Sequence, residues 1–409
     1  MKSDDKNTML NRREFLQGMS MVAAGLAFTP LRGQAATETL DFGNGTRELV
    51  SYPQKRPLML ITARPPHLET PFSTFNEGVV TPNDAFFVRY HLANMPTAID
   101  GEQHRLKISG LVNKTLSLSL AELKKLGEPV EVVAVNQCAG NSRGFSAPRV
   151  FGAQLGNGSM GNAKWTGVPL KTVLEHAGVQ AGAKQVTFNG LDNPLMSGTP
   201  DFIKALDIDH ALSGEPLIAW AMNDTDIPFL NGYPIKLIVP GYFGTYWIKH
   251  LSEISVIDHG FDGFFMKTAY RLPDNDCECS AAGIALAKTK PITQLKIRSF
   301  ITSLRAGDTL RYGETIVLRG IAFDGGGGIA AVDISDDGGQ HWQASTLSKS
   351  LGKYSFQEWQ ASWKPKEKGT IALQVRARNR LGEQQPAVST WNPSGYARNV
   401  IETTPVLVV

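Results

Sequence analysis

The sequence predicts an α+β protein in two parts: a mixed α/β domain over residues 36–288 and an immunoglobulin-like β-sandwich over residues 289–409. Three observations carry that expectation. Apolar runs of strand length alternate with short helix-like segments up to about residue 285. Beyond residue 291, short β-branched and aromatic runs recur, separated by turn signals such as Asp336-Asp337-Gly338-Gly339. The pattern changes between residues 282 and 292, and no internal repeat crosses that boundary.

The first 35 residues stand apart. Arg12-Arg13-Glu14-Phe15-Leu16 precedes an apolar stretch at 19–28, and small residues lead on to Ala35 and Ala36. That order is a twin-arginine export signal, which engages a dedicated export machinery and delivers a folded protein to the periplasm. About ten apolar residues cannot span a hydrocarbon core of roughly 30 Å, so cleavage near Ala35 or Ala36 is expected. No later segment has the length and apolarity of a membrane span.

In the first part, residues 105–109 read as a strand with a turn at 110–114. Ser119 and Glu122 form a capping box that opens a short helix to Leu126. The Val-rich run 130–135 reads as a buried strand. Residues 168–177 read as a helix with Pro169 in its first turn and Gly178 as its stop. Strands follow at 184–188, 217–222, 235–239 and 251–257. Long loops rich in Gly, Pro and Asn separate them, and loops of that kind serve function more often than packing. In the second part, strands are expected at 315–321, 330–335, 341–345, 357–363 and 370–379.

Charge excludes one class of partner. Five of the 41 basic and three of the 38 acidic residues fall in the first 35, so the remainder is close to neutral and no nucleic-acid partner is expected. The chain has three cysteines, so disulfides are not expected to hold it together. Cys277 and Cys279 have no second pair or nearby His, and no metal role is expected of them, which leaves a redox or intermolecular role open. There is no Cys-x-x-Cys-His haem attachment site, no dinucleotide fingerprint and no P-loop.

Cys138 is different. It follows the strand at 130–135 in Asn136-Gln137-Cys138-Ala139-Gly140-Asn141-Ser142-Arg143. Gly140 and Asn141 permit tight backbone beside the sulfur, and Arg143 favours a thiolate or an anion. A soft thiolate ligates metals, although one Cys does not make a zinc site. Upstream, Phe87-Val88-Arg89-Tyr90-His91 sets Arg89 and His91 two apart, on one face of a strand and suited to gripping an anion.

These motifs, in this order, resemble the sulfite oxidase family of molybdopterin enzymes, and within it the bacterial periplasmic sulfite dehydrogenases. Phe87 to His91 is similar to the family's Phe-Val-Arg-Asn-His, which contacts the pterin, with Tyr90 in place of Asn. The Cys138 segment is similar to Cys-Ala-Gly-Asn-Arg-Arg, whose Cys ligates molybdenum. Arg143 matches its second Arg and Ser142 stands at the first. Leu155 stands where the family has a pocket Trp. Asn231-Gly232-Tyr233-Pro234-Ile235-Lys236 is similar to His-Gly-Phe-Pro-Val-Arg, and Trp247-Ile248-Lys249 follows. The resemblance assigns these stretches, with Asp192, to the pterin and its phosphate. Tyr270, 21 residues after Lys249, falls where the family has its active-site Tyr. Trp342 after the 335–339 turn, and the segment from Ala387 to Tyr396, resemble the family's dimerisation domain.

The resemblance implies a sulfite oxidase fold, a molybdenum–molybdopterin cofactor with Cys138 as metal ligand, and no haem in this chain. It implies a homodimer that oxidises sulfite to sulfate and passes electrons to a cytochrome c or similar carrier. Arg89, His91, Arg143 and Tyr270 are the implied catalytic residues. The lack of haem and flavin modules argues against nitrate as substrate. A sulfane dehydrogenase acting on carrier-bound sulfur is the neighbouring reading, and a sulfoxide reductase of the same family is a third. An exported immunoglobulin-like binding protein would leave Arg89, His91, Cys138, Arg143 and Lys249 without a role.

Overall fold

The computed structural model describes residues 36–286 and 288–409. The expected export signal lies outside them. Thr37–Val409 pack as one compact unit. It is predominantly β, with a longest described α-helix, Leu170–Ala177, of eight residues. The expected α/β balance is thus corrected: loops and short helices occupy ground that longer helices would take in a layered α/β protein. Among the described residues, no helix is long and apolar enough to cross a membrane.

Three sheets build the first part. The most N-terminal joins Thr37–Thr39, Thr46–Val50, Leu58–Thr62, His67–Glu69 and Val88–Arg89 in chain order. A second has the order Lys204–Asp207, Gln185–Asn189, Glu253–Ile257, Leu106–Gly110, Leu116–Leu118. In it, Glu253–Ile257 runs parallel to Leu106–Gly110. The third pairs Val130–Gln137 with Met160–Pro169 and that strand with Leu217–Met222, which also pairs Lys236–Ile238. Val130–Gln137 begins exposed and becomes buried only toward its C-terminal half. That gradient drives the chain end-on into the interior at Cys138.

Local chemistry explains the element ends. The Ser119–Glu122 capping box forms, with Glu122 N donating to Ser119 Oγ at 3.2 Å, but the helix stops at Leu123, before the expected Leu126. The helix expected from 168 begins at Leu170 instead. Met160–Pro169 extends as a strand to Pro169, which becomes the N-cap. Gly178 ends the helix in the left-handed region at φ 73°, where a Cβ is unfavourable. The helix buries Leu170, Val173, Leu174 and Ala177 on one face.

In the second part, sheets of four and five strands enclose their own core around Leu318, Trp359, Leu373 and Val375. The expected strand at 341–345 is divided: Gln343–Ala344 and Thr346–Leu347 pair into different sheets. The two parts also share a core, because Phe300, Ile321, Phe323 and Phe356 join the apolar cluster of the first.

Arg298 carries the polar link between the parts. It is 1% exposed, and its guanidinium donates to Ser142 Oγ at 2.9 Å and to Glu402 Oε1 at 2.5 Å. Ser142 sits four residues beyond Cys138, so the C-terminal part braces the Cys-bearing loop. Replacing one partner of a buried pair leaves the other uncompensated. Arg298→Ala is expected to lower stability by about 3–5 kcal/mol in urea unfolding. A loss below about 1 kcal/mol would mean that Arg398, which donates to the same Glu402 oxygen at 2.8 Å, satisfies Glu402 alone.

Candidate active site

A cavity opens where the inner end of Val130–Gln137 meets the loops before Lys204–Asp207 and after Lys236–Ile238. Phe87, Arg89, Tyr90, His91, Cys138, Asp192, Asn231, Lys236, Trp247, Ile248, Lys249 and Tyr270 line it. These are most of the residues singled out from sequence, drawn from segments up to 183 positions apart. Cys138 is a free thiol, held by backbone bonds from Cys138 N to Ser159 O (2.9 Å) and from Asn141 N to Cys138 O (3.0 Å).

Two expected residues are not among the lining. Val88 is fully buried in a small separate core with Leu58, Leu68 and Tyr90. Its side chain is taken up by that core, whereas Tyr90 belongs to the same core and still lines the cavity. Arg143 is drawn off by carbonyls: Nε donates to Ser394 O at 2.8 Å and Nη1 to Ala153 O at 3.2 Å. Its guanidinium lies 5.2 Å from the centre of the Tyr396 ring. Tyr396 in turn stacks on Tyr270 at 5.2 Å and 12°. Arg143 therefore reaches the cavity through two aromatic rings.

The cavity wall is electropositive. Lys236 is 1% exposed, and among the described residues its ammonium has no hydrogen-bond or carboxylate partner. Its ammonium lies 4.8 Å from the Trp165 ring and 5.5 Å from the Trp247 ring. Burial, then the charges of Lys249 and Lys55, hold its pKa well below the usual lysine value. Lys249 donates to Arg89 O and lies 3.8 Å from the Tyr90 ring centre. Burial also depresses Lys249, against the pull of Asp192, whose carboxyl is raised chiefly by desolvation.

His91 and Tyr270 are hydrogen-bonded through Nε2 and Oη. The His91 ring stacks on Phe202 at 3.6 Å and 9°. Desolvation, with Arg89 and Lys249 nearby, pushes His91 well below its ordinary value, so the imidazole is neutral. Desolvation raises Tyr270, so the phenol keeps its proton. Both are neutral hydrogen-bonding groups at physiological pH.

Several participants were not read from sequence. Lys55 is buried, donates to Asn231 Oδ1 at 2.5 Å and to Phe86 O at 2.9 Å, and is depressed by burial to about 7. Asn231 Nδ2 donates to Phe87 O at 2.9 Å, which ties the two motifs together. Behind Cys138, Ser159 Oγ donates to Glu69 Oε1 at 2.8 Å and contacts His67 Nε2 at 2.9 Å. Phe202, Gly244, Thr245 and Asn136 line the cavity too. None carries a local signal; only the fold brings them to the thiol.

The donor set fits a phosphate-bearing metal cofactor. Asn136 Oδ1 and Thr245 Oγ1 are buried without a hydrogen-bond partner, and both residues line the cavity. A Cβ on Gly244 would lie 2.2 Å from Asn136 Oδ1, so the backbone there comes closer than any other residue permits. Among the described residues, no group of three or more His, Cys, Asp or Glu could hold a metal ion. A metal bound at Cys138 must therefore draw its remaining ligands from a cofactor.

Comparison with known proteins agrees with this chemistry. Residues 92–265 match the family model of an oxidoreductase molybdopterin binding domain, and residues 289–405 that of a Mo-co oxidoreductase dimerisation domain. Mitochondrial sulfite oxidase of Rattus norvegicus is 30% identical over 373 residues, which cover 87% of this chain and 67% of the rat protein. The chain belongs to the sulfite oxidase family of molybdopterin oxidoreductases. Sulfite oxidase of Gallus gallus is 33% identical over 72% of this chain, and the match spans 65% of the chicken protein's length. The fold is also that of the sulfane dehydrogenase SoxCD from Paracoccus pantotrophus, with TM-score 0.69 at 22% identity, covering 94% of this chain and 91% of that one.

The buried lysines predict an inverted pH response in the cofactor-free protein. Each binds its proton more weakly folded than unfolded. Between about pH 7, to which Lys55 is lowered, and its ordinary 10.5, the unfolded chain holds more protons, so stability rises with pH across that window. Lys236→Met is expected to flatten the rise and to stabilise the cofactor-free protein at pH 7 by about 1–3 kcal/mol. Thermal unfolding from pH 7 to 10 measures both effects, and parallel curves for wild type and variant would contradict them.

Proposed function

We propose that this chain oxidises sulfite to sulfate at a molybdenum–molybdopterin centre, with the Cys138 thiolate as the protein's ligand to the metal. The observation that carries the reading is a free thiol in a cavity whose wall bears Arg89, Lys236 and Lys249. Sulfite oxidation consumes water and releases two electrons and two protons. The bound cofactor supplies the oxygen-transfer and two-electron redox chemistry.

The chain's own residues bind, orient and hold protons. Lys236 and Lys249, with Asn136 and Thr245, take the cofactor's phosphate and polar groups. Arg89 faces the cavity and draws the substrate anion by charge-assisted hydrogen bonds. The neutral His91–Tyr270 pair keeps a proton beside the substrate oxygens without adding charge that would hold sulfate back. Arg143 supports the Tyr396–Tyr270 wall.

The remaining assignments belong to the same reading. Electrons leave to a separate cytochrome c or similar carrier. The twin arginines at 12–13 direct export to the periplasm. Residues 289–409 form an immunoglobulin-like dimerisation domain that follows the catalytic domain (36–288) and shares core residues with it, and the active protein is a homodimer. The dimerisation-domain match at 289–405 supports that assembly.

The test is sulfite-dependent reduction of cytochrome c by molybdenum-loaded protein. Wild type is expected to turn over, and Cys138→Ser to lose at least about a hundredfold in rate. A Cys138→Ser protein that matches wild type would remove Cys138 from the metal. An inactive wild type with molybdenum present would move the substrate to protein-bound sulfane or a sulfoxide.

A further inference from the structure

Cys277 and Cys279 form a disulfide two residues apart in the chain. The sequence excludes only a metal role for the pair, and the bridge is compatible with that. A bridge of this span is a poor structural staple. The entropy that a cross-link removes from the unfolded chain grows with loop length, and here the loop is about as short as one can be. The bridge also holds Glu278 in the left-handed region at φ 50°, which disfavours a residue with a Cβ. Glu278 is held there by Lys290 at 3.0 Å and Lys296 at 2.6 Å.

Access points the same way. Cys277 is exposed and Cys279 half-buried. Cys277 also lines a cavity of about 150 Å³ with Asp276, Lys296, Asn392 and Tyr396. An incoming thiol can reach the Cys277 sulfur without unfolding the chain. Lys290 and Lys296 are offset by Glu278 and Asp276, so the cavity does not select strongly for a charged thiol.

We propose that Cys277–Cys279 is a thiol-exchange site that accepts two electrons from a dithiol reductant. One donor thiolate attacks Cys277 Sγ. The Cys277–Cys279 bond breaks, a donor–Cys277 disulfide forms, and the Cys279 sulfur leaves with the electron pair and takes a proton. The second donor thiolate attacks its own sulfur in that mixed disulfide and releases Cys277 as a thiolate, which takes the second proton. The donor ends as a disulfide and the chain as a dithiol. Opening the bridge relieves the left-handed backbone at Glu278. The loop is joined at Ser280 N to Trp391 O (2.9 Å), in the same segment that supplies Tyr396 to the active-site wall. The proposal stands whether or not the chain oxidises sulfite.

The test counts thiols in the native full chain with a maleimide-polyethylene glycol gel shift, using dithiothreitol as the probe. Without reductant, no label beyond Cys138 is expected. At on the order of 1 mM dithiothreitol, two further labels are expected while circular dichroism stays native. Two single-thiol variants assign the attacked sulfur. Cys279→Ser, which leaves Cys277, is expected to form a mixed disulfide with glutathione disulfide at least about tenfold faster than Cys277→Ser. A bridge that stays closed until the dichroism signal is lost overturns the proposal. So does labelling of both cysteines before reductant is added.

Discussion

Positive charge gathered around one cavity, offset only in part by Asp192, is the constraint on which this molecule depends. Lys236 is buried and Lys249 half-buried, both are depressed by desolvation, and Lys55 sits behind them against Asn231. A buried ammonium without a counter-ion costs free energy that apolar packing must offset. The cost is tolerable because aromatic rings face the ammonium groups and because the cavity receives an anion when the cofactor binds. The rest of the first part holds these charges in place. Val130–Gln137 delivers Cys138 to the same cavity, and the turn after Lys236–Ile238 delivers Trp247, Ile248 and Lys249.

The C-terminal part takes a direct share in that site. Arg298 fixes Ser142, Ala397 N donates to Ala139 O at 2.9 Å, and Tyr396 backs Tyr270. The loop that carries Cys138 is thus held from both sides. Its position is set by contacts more than 150 positions away in the chain, which explains why the Thr37–Val409 unit does not separate at the composition boundary.

Much of the site was legible because it is written in contiguous motifs. Cys138, the Arg89–His91 spacing, the Asn231–Lys236 run and Tyr270 each carry a local pattern, and the structure brings them to one cavity. The failures have physical causes. Val88 lies inside a motif but its side chain packs into a separate small core with Leu58 and Leu68. Arg143 has the right type and spacing, yet carbonyls of Ala153 and Ser394 compete for its guanidinium. Lys55, Thr245 and Phe202 were invisible because only long-range packing gives them a role. The strand Met160–Pro169 was missed because its Gly, Asn and Lys residues break the alternation expected of a strand, although it pairs on both sides. The N-terminal sheet was missed because its strands are two to five residues long, too short to show a period.

The central claim is that the thiol at residue 138 and the cationic wall together hold a metal cofactor. X-ray absorption at the molybdenum edge of the loaded protein tests it most directly, because it counts sulfur neighbours without relying on turnover. Cys138→Ser is expected to show one sulfur neighbour fewer than wild type, at comparable cofactor content. An unchanged sulfur count would mean that Cys138 is not the ligand, and that the charge around it serves another anion.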